Sequence, residues 1–236
     1  MAIGSCPESI IAQNLVGNNG VIGISTAAAH RTRILGNYVF GNGEDGIEAG
    51  TLANEVGSSV IANNICYNNT NHGIQVFSLS GNIIKGNLCL NNGDDGIYLL
   101  PGDADSLRNC VVSGNLCSSN GRGGIHIYNG KDILIAANFC INNNTDGIYL
   151  RTGRHIIIGN YCKQNGEHGI HLSAAHKTIV SSNYCVENGQ SSALNFDGIY
   201  VYNVGDYLIV NNYCVDEQTE KRRDMEYTKT ELAIVD

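Results

Sequence analysis

Tyrosine and histidine recur along this chain at intervals of 22 to 29 residues: Tyr98, His126, Tyr149, His171 and Tyr200. Both side chains are suited to moving protons near neutral pH. A histidine with a pKa near ~6.5 can accept a proton, and a phenol can deliver one to a departing oxygen. Arg151 and Arg154 are the cations read near the same stretch. A base, an acid and a cation are the parts needed to take a proton from beside a carboxylate and expel an oxygen from the next carbon. His126, Tyr149, Tyr98, His171 and Arg151 are therefore the candidate catalytic residues, and His126 between two tyrosines is the densest point. The sequence names no partner that would orient His126.

A second polar file lies just ahead of a recurring glycine. The segment "NNGDDGIYLL" (residues 91–100) carries Asp94 and Asp95. In other repeats the place of Asp95 is taken by Asp45, His72, Gly123, Asp146, His168 and Asp197. Acidic side chains ahead of a glycine commonly fold back onto backbone N–H groups and hold a turn, so these aspartates are read first as corner residues. Asp95 and Asp146 also border the tyrosine–histidine file. With Glu48, Gln75, His72 and Tyr200 they make up the candidate substrate-binding set. No metal site or cofactor is assigned; Ca2+ held by the aspartate file is the one ion considered.

The elements that must position these residues are short and repeated. Glycine–isoleucine recurs at Gly23-Ile24, Gly46-Ile47, Gly73-Ile74, Gly96-Ile97, Gly124-Ile125, Gly147-Ile148, Gly169-Ile170 and Gly198-Ile199. In phase runs an asparagine file: Asn14, Asn37, Asn64, Asn87, Asn115, Asn138, Asn160, Asn183 and Asn212. Two residues beyond each asparagine stands Val16, Val39, Cys66, Cys89, Cys117, Cys140, Cys162, Cys185 or Cys214. Segments such as "HIIIGNYC" and "GIYLR" have strand character, and none keeps a 3.6-residue period for ten residues. Crossover helices are thereby excluded, and stacking the repeats is the way left to bury their apolar positions. The predicted fold is all-β: a right-handed, single-stranded parallel β-helix of about eight or nine rungs over residues 1–215, with like positions ~4.8 Å apart.

In such a stack the asparagines are expected at left-handed corners, their side-chain amides bonding from rung to rung. The cysteine slot also accepts valine, so it is apolar and interior, a file of buried thiols without disulfides. Side chains alternate along a strand. With Ile97 and Leu99 inward, Tyr98 points out, and the outward file reads Ser25, Glu48, Gln75, Tyr98, His126, Tyr149, His171 and Tyr200. Aromatic rings beside polar groups suit a sugar chain, whose faces are apolar and whose edges are hydroxylated. Longer turns at "AGTLANEVGSS", "LPGDADSLRN" and "ENGQSSALNFD" are expected to wall this face into a trough.

Bulk properties narrow the partners. A net charge of −8 argues against nucleic acid, which needs clustered Lys and Arg. No 18-residue apolar run is present, so no membrane span is expected. The cysteines suit a reducing compartment or an anaerobic source. The opening "MAIGSCPESI" shows no basic and apolar regions of a secretory signal. Residues 216–236 hold 11 of the 36 charged residues and no glycine. They are expected to form a cap or an incomplete terminal rung, with end-to-end stacking or another oligomer covering open rung ends.

The repeat resembles the right-handed parallel β-helix superfamily over residues 10–215. "VFGNGEDGIEAGTL" and "SVIANNICYNNTNHGIQVF" are similar to consecutive rungs of the catalytic module of mannuronan C5-epimerases and related alginate lyases. His72 stands at the histidine of that module's Arg-His-Gly element, with Asn71 in place of the arginine. Asp45 stands at the aspartate of its Asp-Gly-Phe element. The family's Asp-Pro-His-Glu stretch belongs on the preceding rung, where this chain has "GISTAAAH". "GDDGI", "NTDG" and "HGI" resemble pieces of the polygalacturonase signature, in a different order, so its two-carboxylate site is not expected. The repeat is also similar to periplasmic β-helix proteins of copper-enzyme maturation, to surface adhesins and to phage tail-fibre segments. The resemblance implies a polysaccharide or oligosaccharide partner, an extracellular or periplasmic setting and, where catalytic, uronan lyase or C5-epimerase chemistry. The competing class is a non-catalytic structural or carbohydrate-binding module, and fold alone does not choose between them.

Overall fold

The computed structural model describes residues 6–27, 29–50, 58–77, 80–101, 107–191, 196–215 and 225–227. They form short strands in three sheets of nine strands each, every coil giving one strand to each sheet. The first sheet runs from Ile10–Ala12 to Leu208–Val210, the second from Leu15–Gly17 to Tyr213–Val215, and the third from Ile24–Ala27 to Met225–Tyr227. Pairing is parallel and in register: Cys89 lies between Cys66 and Cys117, and Ile97 between Ile74 and Ile125. The fold is the expected all-β, right-handed parallel solenoid. Most of the tail at 216–236 lies outside the described residues. Within it, Met225–Tyr227 extends the third sheet beside Ile199–Tyr202.

The core is a set of vertical columns. Ile11, Ile34, Ile61 and Ile84 begin the column inside the first sheet, and Ile24, Ile47, Ile74 and Ile97 begin one inside the third; all are buried. Inside the second sheet Val39 is followed by Cys66, Cys89, Cys117, Cys140, Cys162 and Cys185, buried thiols with no disulfide. Burial lifts the Cys89 and Cys117 thiols well above their ordinary pKa. The glycine of each Gly-Ile pair is set by close approach. A Cβ on Gly96 would lie 2.7 Å from the Gly124 carbonyl oxygen and 2.8 Å from Asn120 Nδ2.

The asparagines bond as expected but are not the left-handed residues. Positive φ falls one position earlier, at Gln13, Gly36, Asn63, Gly86, Gly114 and Ala137. That residue turns the corner and frees the following asparagine to point inward. A second file, unread in the sequence, runs five residues later through Asn19, Asn42, Asn69, Asn92, Asn120, Asn143, Asn165 and Asn188. Asn138 shows how each rung is tied. Its Nδ2 donates to Val112 O and Asn160 Oδ1, both at 2.9 Å. Its Oδ1 accepts from Asn115 N at 3.0 Å and Asn115 Nδ2 at 2.9 Å. Both amide protons and both lone pairs are used, with no water needed.

These two files set different tolerances. Asn138→Ala strands partners on the rungs before and after it and lowers unfolding free energy by at least ~3 kcal/mol in chemical denaturation. Cys140→Val, which repeats the residue used at Val39, changes it by less than ~1.5 kcal/mol.

Candidate functional site

Register places the tyrosine–histidine file on one line. Tyr98 pairs with His126, His126 with Tyr149, Tyr149 with His171, and His171 with Tyr200. Glu48 and Gln75 continue the same line on the rungs before Tyr98. The rings touch their neighbours: Tyr98 lies 4.7 Å from His72 and 4.9 Å from His126, and Tyr149 sits edge-on to both His126 and His171 at 4.7 Å. Tyr200 meets His171 at 5.0 Å and stacks on His168 at 4.4 Å. Burial, with help from the Asp95 carboxylate, holds the Tyr98 phenol above its ordinary pKa, so it keeps its proton and can donate it.

The missing partner of His126 is Asp95, one rung before it. Asp95 Oδ1 accepts the Gly123 N–H at 2.8 Å, and Oδ2 meets His126 Nδ1 at 3.2 Å. The carboxylate therefore does two things at once, bracing a corner and facing a histidine. Because a carboxylate oxygen accepts, the His126 proton belongs on Nδ1 and the lone pair on Nε2. Nε2 is buried and has no hydrogen-bond partner. Two rungs on, the unit repeats: Asp146 Oδ1 accepts the His168 N–H at 3.0 Å, and Oδ2 meets His171 Nδ1 at 3.1 Å. The sequence signal for both units was an aspartate ahead of the glycine followed, on the next rung, by a histidine three places past the equivalent position.

Of the arginines, the candidate Arg151 is engaged by Tyr128 on the rung before it. Its Nη1 donates to Tyr128 Oη at 2.6 Å, and its guanidinium covers that ring at 4.8 Å. Arg154 is bound to Asp132 at 2.7 Å. The cation at the dyads is Arg122, which sequence reasoning passed over. Its Nη1 lies 3.3 Å from Asp94 Oδ1 and 3.8 Å from Asp95 Oδ2. Burial works to lower the Arg122 pKa, but the Asp95 and Asp94 charges outweigh it and hold it above the ordinary value. A cavity of about 400 Å³ opens onto both dyads and is lined as well by Arg122, Thr145, Glu167, Tyr128 and Tyr149. The long turns expected to wall it lie largely outside the described residues, at 51–57, 102–106 and 192–195.

Among the described residues, two groups bring three metal-capable atoms within 4.8 Å of one another: His72, Asp94 and Asp95, and Asp146, His168 and His171. Neither fits a metal. His72 Nδ1 accepts the Asp95 N–H at 3.2 Å, and His168 Nδ1 accepts the Asp197 N–H at 2.9 Å. A neutral ring accepting at Nδ1 carries its proton on Nε2 and has no lone pair left to give. Burial pushes His72 below its ordinary pKa, toward this neutral form. Nor does the aspartate file gather the roughly six to eight oxygens that Ca2+ takes. Asp45, Asp95 and Asp146 alternate with His72, Gly123 and His168, and each commits one oxygen to the next rung's N–H.

Asp45 carries its charge at a cost. Burial, opposed by the His72 N–H bond and reinforced by Glu48 and Glu44, raises its pKa to about 7. The folded chain then holds a proton that the unfolded chain releases above its ordinary value of 3.8. Stability is accordingly lost as pH climbs from about 4 to about 7 and is level beyond. Asp45→Asn keeps an acceptor for the His72 N–H without the charge. In thermal melts it gains roughly 5 °C over the parent at pH 8 and nothing at pH 4.

Comparison with known proteins places the fold. No curated protein sequence matches this chain. Among solved structures, a double mutant of the periplasmic alginate epimerase AlgG superposes with a TM-score of 0.67 at 19% identity, covering 88% of this chain and 49% of that one. The enzymatically active domain of bacteriophage CBA120 tailspike protein 2 gives 0.66 at 14% identity, covering 85% and 33%. The A-module of the Azotobacter vinelandii mannuronan C-5 epimerase AlgE4 gives 0.57 at 12% identity, covering 92% and 81%. The chain thus spans about half the length of AlgG and a third of the tailspike domain. The family model for the right handed beta helix region matches residues 1–115 and 102–220, and the chain belongs to that family.

Proposed function

We propose that this protein acts on a uronic-acid polysaccharide, with His126 removing the proton from the carbon that bears the carboxylate. The observation that carries the proposal is the Asp95–His126 dyad: Nδ1 is held by a carboxylate and Nε2 is left without a partner. A sugar chain laid along the third sheet meets aromatic rings on successive rungs. Arg122 turns from Asp94 to the substrate carboxylate and offsets the charge that builds there. The C5–H electron pair becomes the C4=C5 bond as C4–O4 breaks. The proton goes to His126 Nε2, Asp95 stabilises the imidazolium, and Tyr98 protonates the leaving O4. If C4–O4 stays intact and a proton returns to the other face of C5, the result is epimerisation.

Support from outside the site is of the fold: two similar structures are, by name, alginate or mannuronan epimerases. His126 Nε2 lies under its neighbours, so substrate must displace a ring to reach it. His171 is the more open of the two, with a side chain 19% exposed against 12%, and is the second position from which a base can act.

Incubation with mannuronan, guluronan and polygalacturonate, followed by absorbance of the unsaturated product and by proton NMR of C5 inversion, tests this. His126→Ala cuts turnover by about 1,000-fold, and Asp95→Asn, which keeps the Gly123 bond, by about 100-fold. If His171→Ala alone abolishes turnover, the base is the second dyad. Saccharide binding with no turnover on any uronan would leave a carbohydrate-binding module instead.

A further inference from the structure

The outer surfaces of the first and second sheets are largely apolar from the first rung to the last. In the second sheet the residue between the ladder asparagine and the core cysteine or valine faces solvent, and on all nine rungs it is Leu, Ile, Tyr or Phe. Leu15 is 74% exposed and Phe139 50%. In the first sheet the equivalent outward position is apolar on eight rungs, with Arg33 the exception. Of the fifteen large hydrophobic residues exposed among the described ones, thirteen stand on these two faces. Monomers seldom show contiguous apolar patches beyond a few hundred Å².

Charge is distributed to match. In a chain of net charge −8, no outward strand position of these two sheets carries an acid. Arg33, Lys85 and Lys163 are the cations there. Three scattered cations are too few to hold a polyanion or an anionic lipid surface, which needs clustered basic residues.

We infer that these two faces bind a second copy of this chain side by side, coil axis along coil axis. Two observations favour a copy over other occupants. The side chains form ridges repeating at one rung, ~4.8 Å, and a ridged face of that pitch interdigitates throughout its length only with another stack of the same pitch. The extent is also right. Nine rungs by one three-residue strand make each face about 400 Å², so a chain that covers both faces, one on either side of the corner, buries the roughly 800 Å² that each partner contributes to a stable interface. This surface lies on sheets other than the one carrying the dyads, so the inference stands apart from the proposed activity.

Sedimentation velocity and light scattering on the full chain at about 50 µM test it. The parent is expected to run as a dimer or larger. The triple substitution Leu88→Glu, Phe139→Glu and Tyr184→Glu is expected to weaken association by at least about 100-fold, with unchanged circular dichroism. Should the glutamates disturb folding, Leu88→Thr, Phe139→Thr and Tyr184→Thr keep strand propensity and are expected to weaken association in the same direction. A parent that stays monomeric overturns the inference. So does an oligomer indifferent to both triple variants, which would place the contact at the rung ends.

Discussion

Each rung of this solenoid hands its hydrogen bonds to the next, and two files of stacked asparagines keep the handover in register. A β-strand slipped by one residue exchanges its inner and outer faces. Strands of only three or four residues carry little side-chain information to prevent this. The asparagines supply it. Asn87, for example, takes two bonds from Asn64 and gives one each to Asn115 and Ile61, contacts that no slipped register would satisfy. Since the amides are buried, a wrong register leaves them unpaired at a cost far above that of an exposed mispairing.

The chemistry-bearing face inherits this order. Asp95 and His126 are 31 residues apart, yet they meet because Asp95 is one place ahead of a registered glycine and His126 two places after the next. The same offset brings Asp146 to His171. The aspartates are thus structural and chemical in the same side chain, one oxygen on a backbone amide and the other on an imidazole. This division also explains why the histidines ahead of the glycines, His72 and His168, differ from those on the strand. Their rings are spent on backbone N–H groups, whereas the strand histidines keep Nε2 for other use.

The coil was legible because it depends on single-residue types at fixed phase: Gly-Ile for the tight approach at positions such as Gly96, and Asn two residues ahead of a core cysteine. The outward line from Glu48 to Tyr200 followed from strand alternation alone. What stayed hidden depends on relations between rungs of unequal length. The 28-residue step from Tyr98 to His126 obscures the diagonal that joins Asp95 to His126. Arg122 went unread because its partners, Asp94 and Asp95, sit a rung away. The second asparagine file and the apolar outer positions between Asn and Cys were visible in the letters but masked by the louder glycine and cysteine columns. The left-handed corners were misassigned by one residue, because asparagine is a good candidate for both tasks and here each corner splits them between neighbours.

The thiol column has a consequence for how the chain comes to be folded. Cys66, Cys89, Cys117, Cys140, Cys162 and Cys185 are sealed in the finished coil, out of reach of oxidants. Before closure they are 22 to 28 residues apart along a mobile chain, and closing any of those loops costs nearly the same entropy. Any crosslink so formed must draw its Cβ atoms to ~3.8 Å, closer than adjacent rungs stand. Folding and oxidation are therefore competitors in a race. Whichever compartment assembles this protein must let the coil zip shut before sulfur chemistry begins.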